Sequence, residues 1–194
     1  TSYESEDSVT ISQTRTGDPS QSLPRSSLAA TRNPMSTLTL PPISAFDDAT
    51  IMQKLKMEMI RELGSGGFGT VYEVKNLADK LKVALKIVKN PQNAIHAIRE
   101  GQRLRLVKHP NIVSVHKVHE IAKGSCAALE MEVVSGGDLS QHLEACRRLP
   151  NARFPHSAAL RLSRQLLEVL VYLHDKMKWL HGDIKPQNIL MQCS

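Results

Sequence analysis

His181-Gly182-Asp183-Ile184-Lys185-Pro186-Gln187-Asn188 is the stretch on which the reading of this chain turns. It places a carboxylate, an ammonium and a carboxamide within six residues. Asp183 can accept or orient the proton of an attacking hydroxyl. Asn188, five residues on, can coordinate Mg²⁺, and Lys185 can stabilise charge on a phosphoryl group in transit. Such chemistry is mainly positioning and charge neutralisation, so it needs these groups on one rigid loop. A long amphipathic segment leads into it. Ser157 is the expected N-cap of a helix running to about Met177, with Leu162, Leu166, Val169, Leu170 and Leu173 on one face.

Upstream lies Gly64-Ser65-Gly66-Gly67-Phe68-Gly69-Thr70-Val71. A glycine-rich turn lets backbone amides approach phosphate oxygens without Cβ clashes. Alone it also fits a plain flexible hairpin. β-rich residues follow it where a dinucleotide-binding motif would enter a helix, and the Gly-Lys-Ser/Thr of a Walker loop is absent. Val83-Ala84-Leu85-Lys86 then ends a second β-rich run, and Glu100 follows fourteen residues after Lys86 inside a helical stretch. A lysine that holds phosphates needs a carboxylate to fix its ammonium, and Glu100 is the candidate.

The wider texture agrees. Strand-like runs cover Leu55–Leu63, Thr70–Val74 and Lys82–Val88; a helix is expected from Pro91 to about Val107; two more strands are expected at Ile112–His119 and Ser125–Val134. Gly136-Gly137 breaks the chain, and Asp138 is a plausible N-cap for a short helix to about Cys146. Three strands, a helix, two strands and then helices is α+β order, not the alternation of a doubly wound sheet.

Residues 1–50 differ: 18 are Ser or Thr and five are Pro, so this segment is expected to stay disordered, with the tail extending to about residue 55. It carries a formal charge of −3, leaving +9 on the remainder. A basic domain suits an anionic ligand, although a solvated basic surface is the plainer account. No basic stretch is interleaved with aromatics, so nucleic acid is not an expected partner. Three cysteines, Cys126, Cys146 and Cys193, fit no metal site and read as reduced thiols of an intracellular protein, cytoplasmic or nuclear. No apolar run is long enough for a membrane span.

From about residue 56 to 194 the chain resembles the protein kinase family, of eukaryotic serine/threonine type. The resemblance implies a five-stranded antiparallel amino-terminal lobe with one main helix (about 56–131), a hinge (132–137) and the beginning of a helical carboxy-terminal lobe (138–194). It implies ATP and Mg²⁺ as cofactors and a protein carrying a Ser or Thr acceptor as substrate. It assigns Asp183, Lys185, Lys86 and Glu100 to catalysis and Asn188 to the metal. Leu63, Val71, Ala84 and Leu190 would clamp adenine, with Met131 as gatekeeper. Gly64, Ser65, Gly66, Gly67, Phe68 and Gly69 would cover the phosphates; Glu132 and Val134 would meet the adenine edge and Asp138 the ribose. Leu104 and Val115 match a regulatory hydrophobic column.

Two departures stand out. Gly182 occupies the place of the usual Arg, which implies that activation-loop phosphorylation is not read in the usual way. The sequence also holds no Asp-Phe-Gly or Ala-Pro-Glu after Asn188. The expectation is therefore that this stretch alone is incomplete and inactive, with Leu162, Leu166, Val169 and Leu173 left partly exposed. The competing reading is a nucleotide-binding or scaffolding fragment without transfer activity.

Overall fold

The structure, a computed structural model, describes residues 8–11 (backbone only), 47–149 and 152–192. Its centre is one sheet of five antiparallel strands in the order β2-β3-β4-β6-β5. These are β2 (Met57–Gly66), β3 (Gly69–Asn76), β4 (Lys82–Val88), β5 (Val115–Ile121) and β6 (Cys126–Met131). Val83, Leu85, Ile87, Cys126 and Ala128 alternate along β4 and β6 and are buried. Ala84, Val88, Ala127 and Leu129 at the intervening positions are buried too, so both central strands are covered on both faces.

Helix α1 (Asp48–Lys54) lies against this core. Asp47 starts it by accepting the Thr50 N–H at 2.7 Å, and Ile51 and Met52 bury among Val74, Leu85, Ile87 and Ile121. This corrects the expectation of a disordered tail to residue 55: two apolar residues, a capping aspartate and a pocket on the sheet suffice to order 47–54. A short strand β1 (Ser8–Ile11) also falls within that tail, pairing antiparallel with β7 (Ile189–Gln192), Ser8 opposite Gln192 and Ile11 opposite Ile189. The rest of the tail, and Cys193, lie outside the described residues; Cys126 and Cys146 are free thiols.

Tyr72 on β3 ties α1 down further, its hydroxyl donating to Asp48 Oδ2 at 2.6 Å. That bond, with burial and the Asp48 charge, pushes the phenol pKa up to about 12. Tyr72→Phe should lower unfolding stability by about 1 kcal/mol. Because the folded pKa exceeds the unfolded value, the full deficit should be seen below about pH 10 and vanish as pH rises through 12. Urea unfolding of both proteins at neutral and alkaline pH measures this.

Helix α2 (Pro91–Leu104) crosses the sheet's other face. Asn90 caps it by accepting from Gln92 N–H and Asn93 N–H, and Pro91 supplies a preset φ at the first turn. The helix ends at Leu104 and not near Val107, because Leu106 and Val107 bond three residues back in a tighter turn. Ala94, Ala97, Gly101 and Leu104 form its buried face.

Helix α3 (Leu139–Arg148) begins at Asp138 as expected, in a reciprocal capping box with Gln141. Helix α4 spans His156–Val171, and a π-helical turn continues it over Tyr172–Met177. Ser157 is not its cap: Pro155 occupies that position with no side-chain bond, and Ser157 lies inside the first turn. Of the α4 stripe, Leu162 and Leu166 are half-buried, as expected, but Val169 and Leu173 are not exposed at all. Val169 and Leu173 are fully buried against Leu104, Val107, Ile112 and Val115, with Leu166 packed beside them; Leu162 packs instead on Leu139, Ile189 and Met191. The exposed apolar residues of α4 are Leu160, Leu167 and Val171, on another face. No helix among the described residues is long and apolar enough to cross a membrane.

Candidate active site

Strands β2 and β3 meet in a hairpin whose last pair is Gly66–Gly69. Ser65 and Thr70 join their hydroxyls across it at 3.2 Å. Added Cβ atoms at Gly64, Gly66 and Gly67 would meet nothing within 4 Å, so packing within the chain does not demand glycine there. Bare backbone along an open edge is what close approach of a ligand would need. Asn93 Nδ2 donates to the Gly67 carbonyl at 3.4 Å, linking the tip to the start of α2.

The hairpin roofs a cleft of about 950 Å³. Leu63, Gly64, Ser65, Gly66, Phe68, Gly69, Val71 and Ala84 line its upper wall, and Lys86 and Glu100 its inner end. Met131, Glu132, Val134 and Asp138 line the connection to α3, and Leu190 with Lys185 and Asn188 line the floor. Of the residues the sequence reading singled out, Gly67 and Asp183 are not in the lining. Gly67 is at the hairpin tip; Asp183 is hydrogen-bonded to Lys185 and Asn188, which do line the cleft. Ile112, Val113 and Leu129 line the cleft without having been foreseen, because nothing in an apolar strand marks which side faces a cavity.

The connection after β6 is held from both sides. Glu132 N–H donates to Ser114 O at 2.9 Å, and Ser114 N–H returns a bond to the Glu132 carboxylate at 3.2 Å. Gly136 N–H donates to Met191 O, and Met191 N–H to Gly137 O. The backbone of β7 thus brings the floor of the cleft up against the linker, with Leu190 bridged to Asp138.

Residues 181–188 form a compact cluster. Lys185 Nζ donates to Asp183 Oδ2 at 2.9 Å, and Asn188 Nδ2 donates to the same oxygen at 3.0 Å and to the Asp183 carbonyl at 2.7 Å. The 3₁₀ turn Pro186–Asn188 supplies the reach for Asn188 to come back five residues. His181 is buried, and desolvation holds its imidazole below the usual value, hence neutral near pH 7. Its Nδ1 accepts from Asp183 N–H, which puts the proton on Nε2; Nε2 is buried with no hydrogen-bond partner among the described residues. Gly182 takes φ +75°, a conformation costing an L-residue about 1 kcal/mol or more. The residue that departs from the family pattern is the one suited to that backbone.

With its amide nitrogen committed to Asp183, Asn188 would bring Oδ1 to a cation. No group of three or more His, Cys, Asp or Glu among the described residues could hold a metal by itself. A cation here would share Asn188 with phosphate oxygens, an oxygen-rich environment that suits Mg²⁺.

At the inner end, Lys86 and Glu100 line the same part of the cleft. Their charged groups are electrostatically coupled but do not come within the 4.0 Å of an ion pair, and Glu100 Oε1 is buried without a hydrogen-bond partner among the described residues. Burial pushes the Lys86 ammonium down from its ordinary value, and Glu100 opposes this. Burial likewise pushes the Glu100 carboxyl up, and Lys86 opposes it. The two sit on different elements, β4 and α2, so their separation depends on how deeply the helix is seated.

The family model of the protein kinase domain matches residues 57–194. The chain belongs to the protein kinase family. Curated relatives agree. CBL-interacting protein kinase 4 of Oryza sativa subsp. japonica is 36% identical over 142 residues, 70% of this chain and 30% of that protein. The beta subunit of the inhibitor of nuclear factor kappa-B kinase of Mus musculus is 34% identical over 142 residues, covering 70% and 18%. CBL-interacting serine/threonine-protein kinase 7 of Arabidopsis thaliana is 34% identical over 142 residues, covering 70% and 31%. The chain spans less than a third of the length of each. The kinase match begins at Met57, so α1 lies just outside it while packing into the same core.

Proposed function

We propose that this kinase domain binds ATP in the cleft and serves the transfer of its terminal phosphoryl group to a Ser or Thr hydroxyl of a protein. The observation that carries the reading is the juxtaposition of the Asp183–Lys185–Asn188 cluster with Lys86 and the glycine hairpin around one cleft. The apolar upper wall suits adenine, and the linker backbone from Glu132 to Val134 suits its polar edge. Hairpin amides and Lys86 hold the phosphates. Asp183 orients the acceptor hydroxyl and takes its proton, while Lys185 offsets the negative charge between them. Asn188 fixes the Asp183 carboxylate through its amide nitrogen and offers its oxygen to Mg²⁺. When bound, Mg²⁺ neutralises phosphate charge. The name of the Arabidopsis relative, with Lys185 in the loop, supports Ser/Thr as acceptor.

Titration calorimetry with ATP and Mg²⁺ tests the first half of this reading. Saturable binding that competes with an adenosine analogue is the expected result; no binding by the folded protein would overturn it.

A further inference from the structure

We infer that Gly101 is a positioning residue that sets the distance between Lys86 and Glu100 by letting α2 seat deeply on the sheet. The inference rests on the reading of Lys86 as a phosphate anchor for its functional meaning, but its geometry stands apart from that reading.

Gly101 is buried on α2, next to Glu100. An ideal Cβ built there would lie 2.8 Å from Val118 Cγ2 and 3.0 Å and 3.3 Å from Leu129 Cδ2 and Cγ. Both contacts are side chains of the sheet beneath, and both are constrained. Val118 is β-branched and stiff about χ1; Leu129 is buried among Val88, Ala94, Ala97 and Ala127. A methyl group at this position therefore has to lift the helix or displace a packed strand residue. Glycine in a helix interior costs about 1 kcal/mol relative to alanine, so the close approach runs against helix propensity.

The register connects this contact to the site. Leu129 on β6 is the direct cross-strand partner of Lys86 on β4. Gly101 thus rests on the residue beside Lys86, and Glu100 precedes it by one. Raising α2 at Gly101 raises Glu100 away from Lys86. The smaller residues Ala94 and Ala97 lie on the same buried face, so the seat is close along most of the helix.

The ammonium of Lys86 reports the separation, because Glu100 is the carboxylate that holds its titration up against burial. Arg61, Glu62, Glu132, Asp138 and Lys185 also line the cleft and are unchanged in every variant used. The titration midpoint of Lys86 is read by NMR on protein whose lysines carry ¹³C-methyl groups, with Lys86→Met assigning the signal. Gly101→Ala should lower the midpoint by about half a pH unit, and adding Val118→Ala should return it towards the wild-type value. A folded Gly101→Ala protein with an unmoved midpoint overturns the inference, as does a lowered midpoint that Val118→Ala fails to restore. Should Gly101→Ala alone not fold, the comparison is made in the Val118→Ala background. There Gly101→Val must lower the midpoint relative to Gly101→Ala, and equal midpoints overturn the inference. Failure of the wild-type protein to bind ATP would remove the proposed function while leaving this comparison of midpoints intact.

Discussion

Asp183→Asn is expected to cut phosphoryl transfer in the intact protein by about 10²–10⁴-fold, the usual worth of a positioned acid or base. ATP affinity should change little, because Asp183 is assigned to the acceptor hydroxyl and not to the nucleotide. The substitution is a clean one here. Lys185 and Asn188 both donate to Oδ2, and an asparagine can present its single oxygen in that place. What it loses is the carboxylate charge and the capacity to take a proton. Steady-state turnover, with ATP affinity measured separately, checks this. A variant that kept more than about a tenth of the parent turnover would exclude Asp183 as the proton acceptor.

Lys86→Met should abolish or severely weaken nucleotide binding, by about 10²-fold or more if the phosphate contact resembles other preorganised charge contacts. Lys86→Met alone leaves Glu100 buried without its compensating charge, so the effect on the unliganded fold is read from a double replacement. Lys86 and Glu100 are both desolvated, and their charges do not meet as an ion pair. Replacing both, as Lys86→Met/Glu100→Gln, removes two buried charges and should be neutral or stabilising, by up to about 4 kcal/mol. The pH window follows from the directions of the shifts. The raised Glu100 pKa favours the fold below the ordinary carboxyl range and ceases to as pH rises through the folded value. The lowered Lys86 pKa favours the fold above the ordinary lysine value, and that stability is lost as pH falls through the folded value. The gain from the double variant should therefore be largest between the two folded pKa values, where both groups are charged. Denaturant unfolding across that range measures it. A double variant less stable than the parent throughout would show that the two charges hold the helix in place.

The residues of the candidate site were legible because they stand in a fixed order at characteristic spacings. The glycine hairpin, Lys86, Glu100 and the 181–188 loop could each be named from neighbours in sequence, and the structure brings them to one cleft. The Asp138 cap was legible for the same local reason. What escaped depends on distant partners. Asp47, Ile51 and Met52 carry a visible helix start, but only the sheet tells that the segment is worth ordering. The burial of Val169 and Leu173 was not foreseen because the residues that cover them, Leu104, Val107, Ile112 and Val115, come from the preceding lobe. The sequence spacing of Lys86 and Glu100 marks two residues that line one cleft, and it does not give the distance between them. Distance is set by the seat of α2, and a single glycine in a helix does not announce what it lies against.

The pairing of Ser8 with Gln192 has a consequence for the order in which the chain assembles. The five strands of the central sheet lie between residues 57 and 131, so every one of their pairings closes a loop much shorter than the whole chain. The β1–β7 pairing closes one that spans nearly all of it. Loop-closure entropy grows with the logarithm of length, and this contact meets the largest such cost for four residue pairs of return. It is placed to form after the sheet and to open before it, a fastening added to a body already built.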